Sequence, residues 1–193
     1  MSLNKKLYLI PIHNPIIFPG VKTRIDIPYH YEETIQKLLD SPGNLILAYQ
    51  QEGLEPQLYN TASLVCIENF DKKADGHWEL LVKAYARASL NEPNLIKAHE
   101  QSSDYQLLSY LDEEFISSEE EANIKGALQI KIKKNFPNMA PHLYSELMED
   151  FSISKFLHYL CFSSNKSQNT KIELLKYTSL YKLYQKLIDG FMK

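Results

Sequence analysis

The sequence predicts an α+β protein in two halves, strands first and helices second. Three observations carry this. In the first hundred residues the apolar positions alternate with period two, the mark of half-buried strands. Turn dipeptides, Pro19-Gly20, Pro42-Gly43 and Asp75-Gly76, separate those runs. From about Ser102 onward the apolar residues recur every three or four positions, as on amphipathic helices.

Taken in order, Leu7–Ile10 is a short apolar run. Val21–Ile27 places Val21, Thr23, Ile25 and Ile27 on one face and Lys22, Arg24 and Asp26 on the other. A helix over Glu32–Leu39 puts Ile35, Leu38 and Leu39 on one side and stops at Ser41-Pro42-Gly43. Leu45–Tyr49 and Leu64–Ile67 are continuous apolar runs, as buried strands require. Trp78–Ala84 alternates again, and Asp75-Gly76 before it makes a long hairpin of Leu64–Phe70 with Trp78–Tyr85. Arg87–Leu90 and Leu95–His99 are further strand candidates. Many short strands with one helix suggest a small, closed or strongly curved sheet.

In the second half, Ser118-Glu119-Glu120-Glu121 has the spacing of a capping box, in which serine and glutamate satisfy each other's backbone N–H groups. Ile124, Leu128 and Ile132 follow as a core-facing stripe, and the helix ends near Asn135-Phe136-Pro137. Pro141 suits the first turn of the next helix. Ser152–Phe162 is helical, Ser163–Asn169 is a polar loop, and Thr170–Lys176 and Thr178–Met192 are the last helices. The tyrosines Tyr177, Tyr181 and Tyr184 read as core packing. The boundary between the halves falls within Asn91–Ser109.

Composition excludes several functions. The net charge of −3 argues against a nucleic-acid partner, which needs a basic excess to meet phosphates. The run Lys131, Lys133, Lys134 reads as a helix C-terminus, where cations are favoured. Cys66 and Cys161 lie far apart in no paired motif and read as free thiols of a reducing compartment. The leading apolar run is too short for a signal peptide, and no stretch is long enough to span a bilayer, so a cytoplasmic protein is expected. The six glycines form no phosphate-binding loop and no nucleophile elbow. The histidines show no metal-ligand spacing, and the clusters Asp112-Glu113-Glu114 and Glu119-Glu120-Glu121 read as a solvated face and a helix N-terminus. No catalytic set, metal or cofactor is expected.

The segment Leu9-Ile10-Pro11-Ile12-His13-Asn14-Pro15-Ile16-Ile17-Phe18-Pro19-Gly20 resembles the opening of the N-terminal, substrate-binding domain of the ATP-dependent LON proteases. The motif has a physical reading: Pro11 and Pro19 cannot donate to a strand ladder, Phe18 anchors the loop and Gly20 permits the turn into the next strand. Tyr31–Leu39, Leu45–Gln50, Leu58-Tyr59 with Ala62–Ile67, and Glu79–Ala88 are similar to later parts of that domain, in the right order. Glu149-Asp150, Phe156-Leu157 and Glu173-Leu174-Leu175 resemble its helical extension. His13 stands where arginine is common, Ala62 and Ala84 where glycine is, and Cys66 where a basic residue is usual, so a divergent member is expected.

The resemblance implies a PUA-like β pseudo-barrel with one or two short helices over residues 1–100, then an α-helical bundle over residues 101–193. It implies a stand-alone form of the domain without the family's ATPase and peptidase parts. The implied function is non-catalytic: engaging unfolded, damaged or tagged polypeptides, or serving as adaptor or regulator of a separate LON-type protease. The candidate binding residues are Pro15, Ile16 and Phe18 of the first loop and Tyr29 and Tyr31 of Pro28-Tyr29-His30-Tyr31. The competing expectation places Phe18 and Tyr31 in the core. A second reading stays open, because PUA-like barrels include RNA-binding members.

Overall fold

The computed structural model describes residues 7–51, 57–91, 101–102, 105–112, 116–135 and 141–191. Among these residues seven strands form one sheet: β1 (Leu7–Ile12), β2 (Lys22–Ile27), β3 (Asn44–Gln50), β4 (Leu58–Lys72), β5 (Trp78–Leu90), β6 (Gln101–Ser102) and β7 (Tyr105–Leu107). A 3-10 turn, Tyr29–Tyr31, and helix α1 (Glu32–Leu39) stand between β2 and β3. The helices that follow are α2 (Ser118–Asn135), α3 (Pro141–Ser145) continuing into a π-helical turn (Glu146–Asp150), α4 (Ile153–Ser163), α5 (Gln168–Lys176) and α6 (Leu180–Phe191). The strand candidate Leu95–His99 lies outside the described residues.

The sheet runs β2-β5-β4-β3-β1-β6, with β7 also on β5. All pairs are antiparallel except β1 with β3. The long strand β5 has two partners in succession: Trp78–Lys83 pairs with β2, and Ala88–Leu90 with β7. Its register against β4 shifts between Leu64/Val65 and between Ile67/Asn69. Such irregularities bend and twist a strand, which curves the sheet. Central strand β3 is buried from Leu45 to Tyr49, which explains its continuous apolar run. One core cluster joins Leu7, Leu9, Ile46, Ala48, Leu58, Ala62, Leu64, Ala88 and Leu90. Ala62 and Ala84 are both fully buried.

The described residues fall into two units, one drawn from Met1–Leu108 and Lys166–Lys176, the other from Ser109–Asn165 and Tyr177–Lys193. A division at residue 100 assigns every later helix to the helical half, whereas α5 belongs with the sheet. Arg87 provides the physical reason. Its side chain is only 2% exposed, and its guanidinium donates to the carbonyls of Leu175 (3.0 Å) and Leu108 (3.2 Å). Leu175 lies in the last turn of α5, where unpaired carbonyls favour a cation.

The helical unit is built around Ile124, Leu128 and Ile132 of α2, Phe156, Leu157 and Leu160 of α4, and Leu180, Leu183 and Leu187 of α6, all buried. The capping box of α2 sits one residue earlier than the sequence suggests. Ser117 Oγ accepts from the Glu120 N–H (3.2 Å), and Glu120 accepts from the Ser117 N–H (2.9 Å). Glu121 is thereby free to pair with Lys125 (2.8 Å), a buried cation that also donates to the carbonyl of Phe151. The tyrosine stripe of α6 is not core: Tyr181 is 55% exposed and Tyr184 half-buried. The leucine stripe fills the interior instead.

Asp112, read from sequence as part of a solvated face, caps α6. Its carboxylate accepts from the Ser179 hydroxyl (2.7 Å) and the N–H groups of Leu180 (2.8 Å) and Tyr181 (3.2 Å). Burial pushes the carboxyl pKa up, but these donors outweigh it and hold the group below its ordinary range. A depressed folded-state pKa contributes stability above the unfolded-state pKa and loses it as pH falls through the folded value. Asp112→Ala is therefore expected to cost roughly 1–2 kcal/mol at pH 7. The gap to the wild type should narrow as the pH drops toward 3, as read by urea unfolding; a gap that stays constant with pH would refute this role.

Candidate functional site

The loop between β1 and β2 is fixed from two sides. Ile17 donates its N–H to the Tyr49 hydroxyl (2.9 Å), which donates to Ser63 Oγ (2.7 Å), which in turn donates to the Ile17 carbonyl (2.5 Å). Tyr49 and Ser63 are fully buried, and burial pushes the Tyr49 phenol up to about 12, so it stays a neutral donor throughout the physiological range. At the front of the loop, the Gln168 amide of α5 donates to the carbonyls of His13 and of Gln50 (3.1 Å). Gly20 ends the loop at φ 83°, a conformation that favours glycine, and its N–H donates to the Ala84 carbonyl (2.8 Å).

This anchoring decides where the candidate residues lie. Ile16 and Phe18 are buried, at 1% and 0% exposure, and Pro15, which follows a cis peptide bond, is half-buried. Tyr31 is buried as well, which raises its phenol pKa. Tyr29 stands 64% exposed on the 3-10 turn directly after β2. Of the five candidates only Tyr29 is exposed; Ile16, Phe18 and Tyr31 are buried, and Pro15 lies in the loop that precedes β2 whereas Tyr29 follows it.

The structure adds residues that the sequence did not single out. The tip of the β4–β5 hairpin lies beside Tyr29: the Tyr29 ring is 6.4 Å from the His77 ring and 5.9 Å from the His30 ring, both edge-on. Gly76 in the turn has φ 85°, and a Cβ there would meet the Tyr29 Cβ at 3.5 Å. Phe70 is 49% exposed, 5.9 Å from the buried Trp78, and Lys72 lies 5.4 Å from the same indole while pairing with Glu32 (2.6 Å). Several nearby charges form ion pairs, Lys73 with Asp26 (2.6 Å) and Glu79 (3.6 Å), Lys22 with Glu68, and Arg24 with Glu79. Tyr29 and Phe70 are thus exposed aromatic side chains of this hairpin region, where several of the charges are tied up in ion pairs. Among the described residues, no helix is long and apolar enough to cross a membrane.

Comparison with known proteins agrees with this architecture. The chain is similar over 98% of its length to the N-terminal domain of the Mycobacterium avium complex Lon protease, covering 99% of that chain at 14% identity and a TM-score of 0.72. It is similar over 96% of its length to the Lon N-terminal domain protein from Xanthomonas campestris, covering 98% of that chain at 13% identity and a TM-score of 0.66. At such identities the likeness speaks for the fold. No curated protein matches the sequence significantly. The model of the ATP-dependent protease La (LON) substrate-binding domain matches residues 6–190, nearly all of the 193. The chain belongs to the LON substrate-binding domain family.

Proposed function

We propose that this chain is a non-catalytic receptor for polypeptides: it engages unfolded or tagged proteins, or acts as adaptor or regulator in ATP-dependent proteolysis by a separate LON-type protease. The observation that carries the reading is the family match over residues 6–190 to a substrate-binding domain. The exposed Tyr29 and Phe70 support it, because polypeptide recognition needs an accessible apolar or aromatic surface. The ion pairs near them, Lys72 with Glu32 and Lys73 with Asp26, tie up charge there and suit an apolar segment of the partner. No cofactor enters this reading, and the proposed compartment is the cytoplasm.

The test is fluorescence anisotropy with labelled, unfolded casein, beside a folded control protein, and a pull-down from native cytoplasm. Saturable binding of casein but not of the folded control is expected, with a LON-type protease or its clients in the pull-down. Absence of casein binding would refute the receptor reading, and capture of RNA that is lost at moderate salt would favour the RNA-binding alternative.

A further inference from the structure

Among the described residues β2 is an edge strand of the sheet. It pairs there with β5 alone, from Lys22↔Lys83 to Ile27↔Trp78. The phase of its hydrogen bonds is set by Ala84, whose N–H donates to the Val21 carbonyl (3.0 Å). In an antiparallel pair, bonded and non-bonded positions alternate. The Val21 carbonyl and the backbone groups of Thr23, Ile25 and Ile27 therefore face β5, while the Val21 N–H donates to the Phe18 carbonyl (3.0 Å), and Lys22, Arg24 and Asp26 point their backbone groups away from β5. That leaves three N–H and three C=O groups in a row, about 7 Å apart from one residue pair to the next.

Open edges are usually guarded by free charge, by proline or by a covering element. Here the charges on β2 are spent. Lys22 pairs with Glu68, Arg24 with Glu79 and Asp26 with Lys73, each across the sheet surface. The edge ends at Pro28 and at the exposed ring of Tyr29. A row of alternating backbone donors and acceptors matches one chemistry, the backbone of another extended chain.

Building on the receptor reading, we infer that the β2 edge binds an extended segment of a client polypeptide as an added strand. The pleat gives that segment a pattern. Its side chains on one face run beside the apolar set Val21, Thr23, Ile25 and Ile27, and those on the other beside the paired charges. The preferred client segment alternates apolar and polar residues and contains no proline. Tyr29 supplies an aromatic contact where the edge ends.

Arg24→Pro tests this directly. It removes an outward N–H and leaves the β2–β5 ladder intact, a place where strands tolerate proline. Arg24→Ala is the control, since it deletes the same side chain and ion pair but keeps the N–H. A labelled peptide alternating valine and serine should bind wild type and Arg24→Ala alike, and Arg24→Pro roughly tenfold or more weakly. The same peptide N-methylated at two adjacent central residues, so that neither of its edges can donate, should lose binding to the wild type. Equal affinity for the methylated peptide, or casein binding untouched by Arg24→Pro, overturns the edge while leaving the receptor reading in place. No binding of casein by the wild type overturns both. Self-association of the wild type that Arg24→Pro abolishes would instead assign the edge to a second copy of this chain.

Discussion

Arg87→Ala is expected to destabilise the sheet unit by roughly 3–5 kcal/mol, because at least two hydrogen bonds from a charged donor are lost and the buried Leu175 carbonyl loses its donor. In a chain of this size that corresponds to a fall in melting temperature on the order of 10 °C. The carbonyls belong to distant parts of the chain, Leu108 after β7 and Leu175 at the end of α5. One guanidinium thus ties the last strand and the returning helix to β5. Lysine should not restore the loss, because a single ammonium cannot reach both carbonyls in the fork geometry of arginine. Thermal unfolding followed by circular dichroism, with Arg87→Ala and Arg87→Lys side by side, checks this; a lysine variant as stable as the wild type would refute the fork.

Phe18→Ala should be as damaging for a different reason. The ring is completely buried, and its truncation leaves a cavity that costs about 3–5 kcal/mol. The neighbouring backbone cannot collapse into it easily, because Ile17 is held by Tyr49 and Ser63 and Gly20 by Ala84. Tyr29→Ala, by contrast, should change stability by no more than about 0.5 kcal/mol, as surface substitutions usually do. The pair separates two meanings of a lost binding signal. A Phe18 variant that fails to bind and melts early has lost its scaffold, whereas a Tyr29 variant that melts normally and binds weakly has lost a contact. Urea unfolding of both variants measures the difference, and a Phe18→Ala protein of wild-type stability would refute the core assignment.

Much of the fold was legible because its signals are local. Helix α1 occupies the predicted Glu32–Leu39, and the hairpin around Asp75-Gly76 forms as expected. The stripe Ile124, Leu128, Ile132 is buried as its spacing implies. The capping box moved by one residue because adjacent serines, Ser117 and Ser118, both stand three residues before a glutamate; the sequence pattern fits either. What was not legible depends on partners far away in the chain. Asp112 finds its donors 67 to 69 residues later, and Arg87 finds Leu175 after 88. Gln168, read as loop, begins α5 and reaches back to His13 and Gln50.

The candidate site followed the same rule. An aromatic residue in a turn is visible from sequence, and Tyr29 is indeed on the surface. That the loop residues Ile16 and Phe18 face inward goes with the Tyr49–Ser63 network that holds Ile17 between them, which no local pattern announces. Phe70 and Trp78 come together only through strand register. That β2 is an edge strand among the described residues is a property of sheet order, and a single strand cannot reveal whether it has one neighbour or two.

The interleaving of the chain between its two units has a temporal side. During synthesis β5 emerges well before the helix whose carbonyl Arg87 needs, 88 residues later. At a translation rate of about 5–20 residues per second, that leaves the arginine waiting for several seconds. Through that interval the nascent sheet holds a cation without one of its final acceptors, and α5 completes it only after most of the helical unit has left the ribosome. A truncation after Leu108 would freeze the protein in that unfinished state, so the sheet half cannot be studied faithfully as a continuous N-terminal piece.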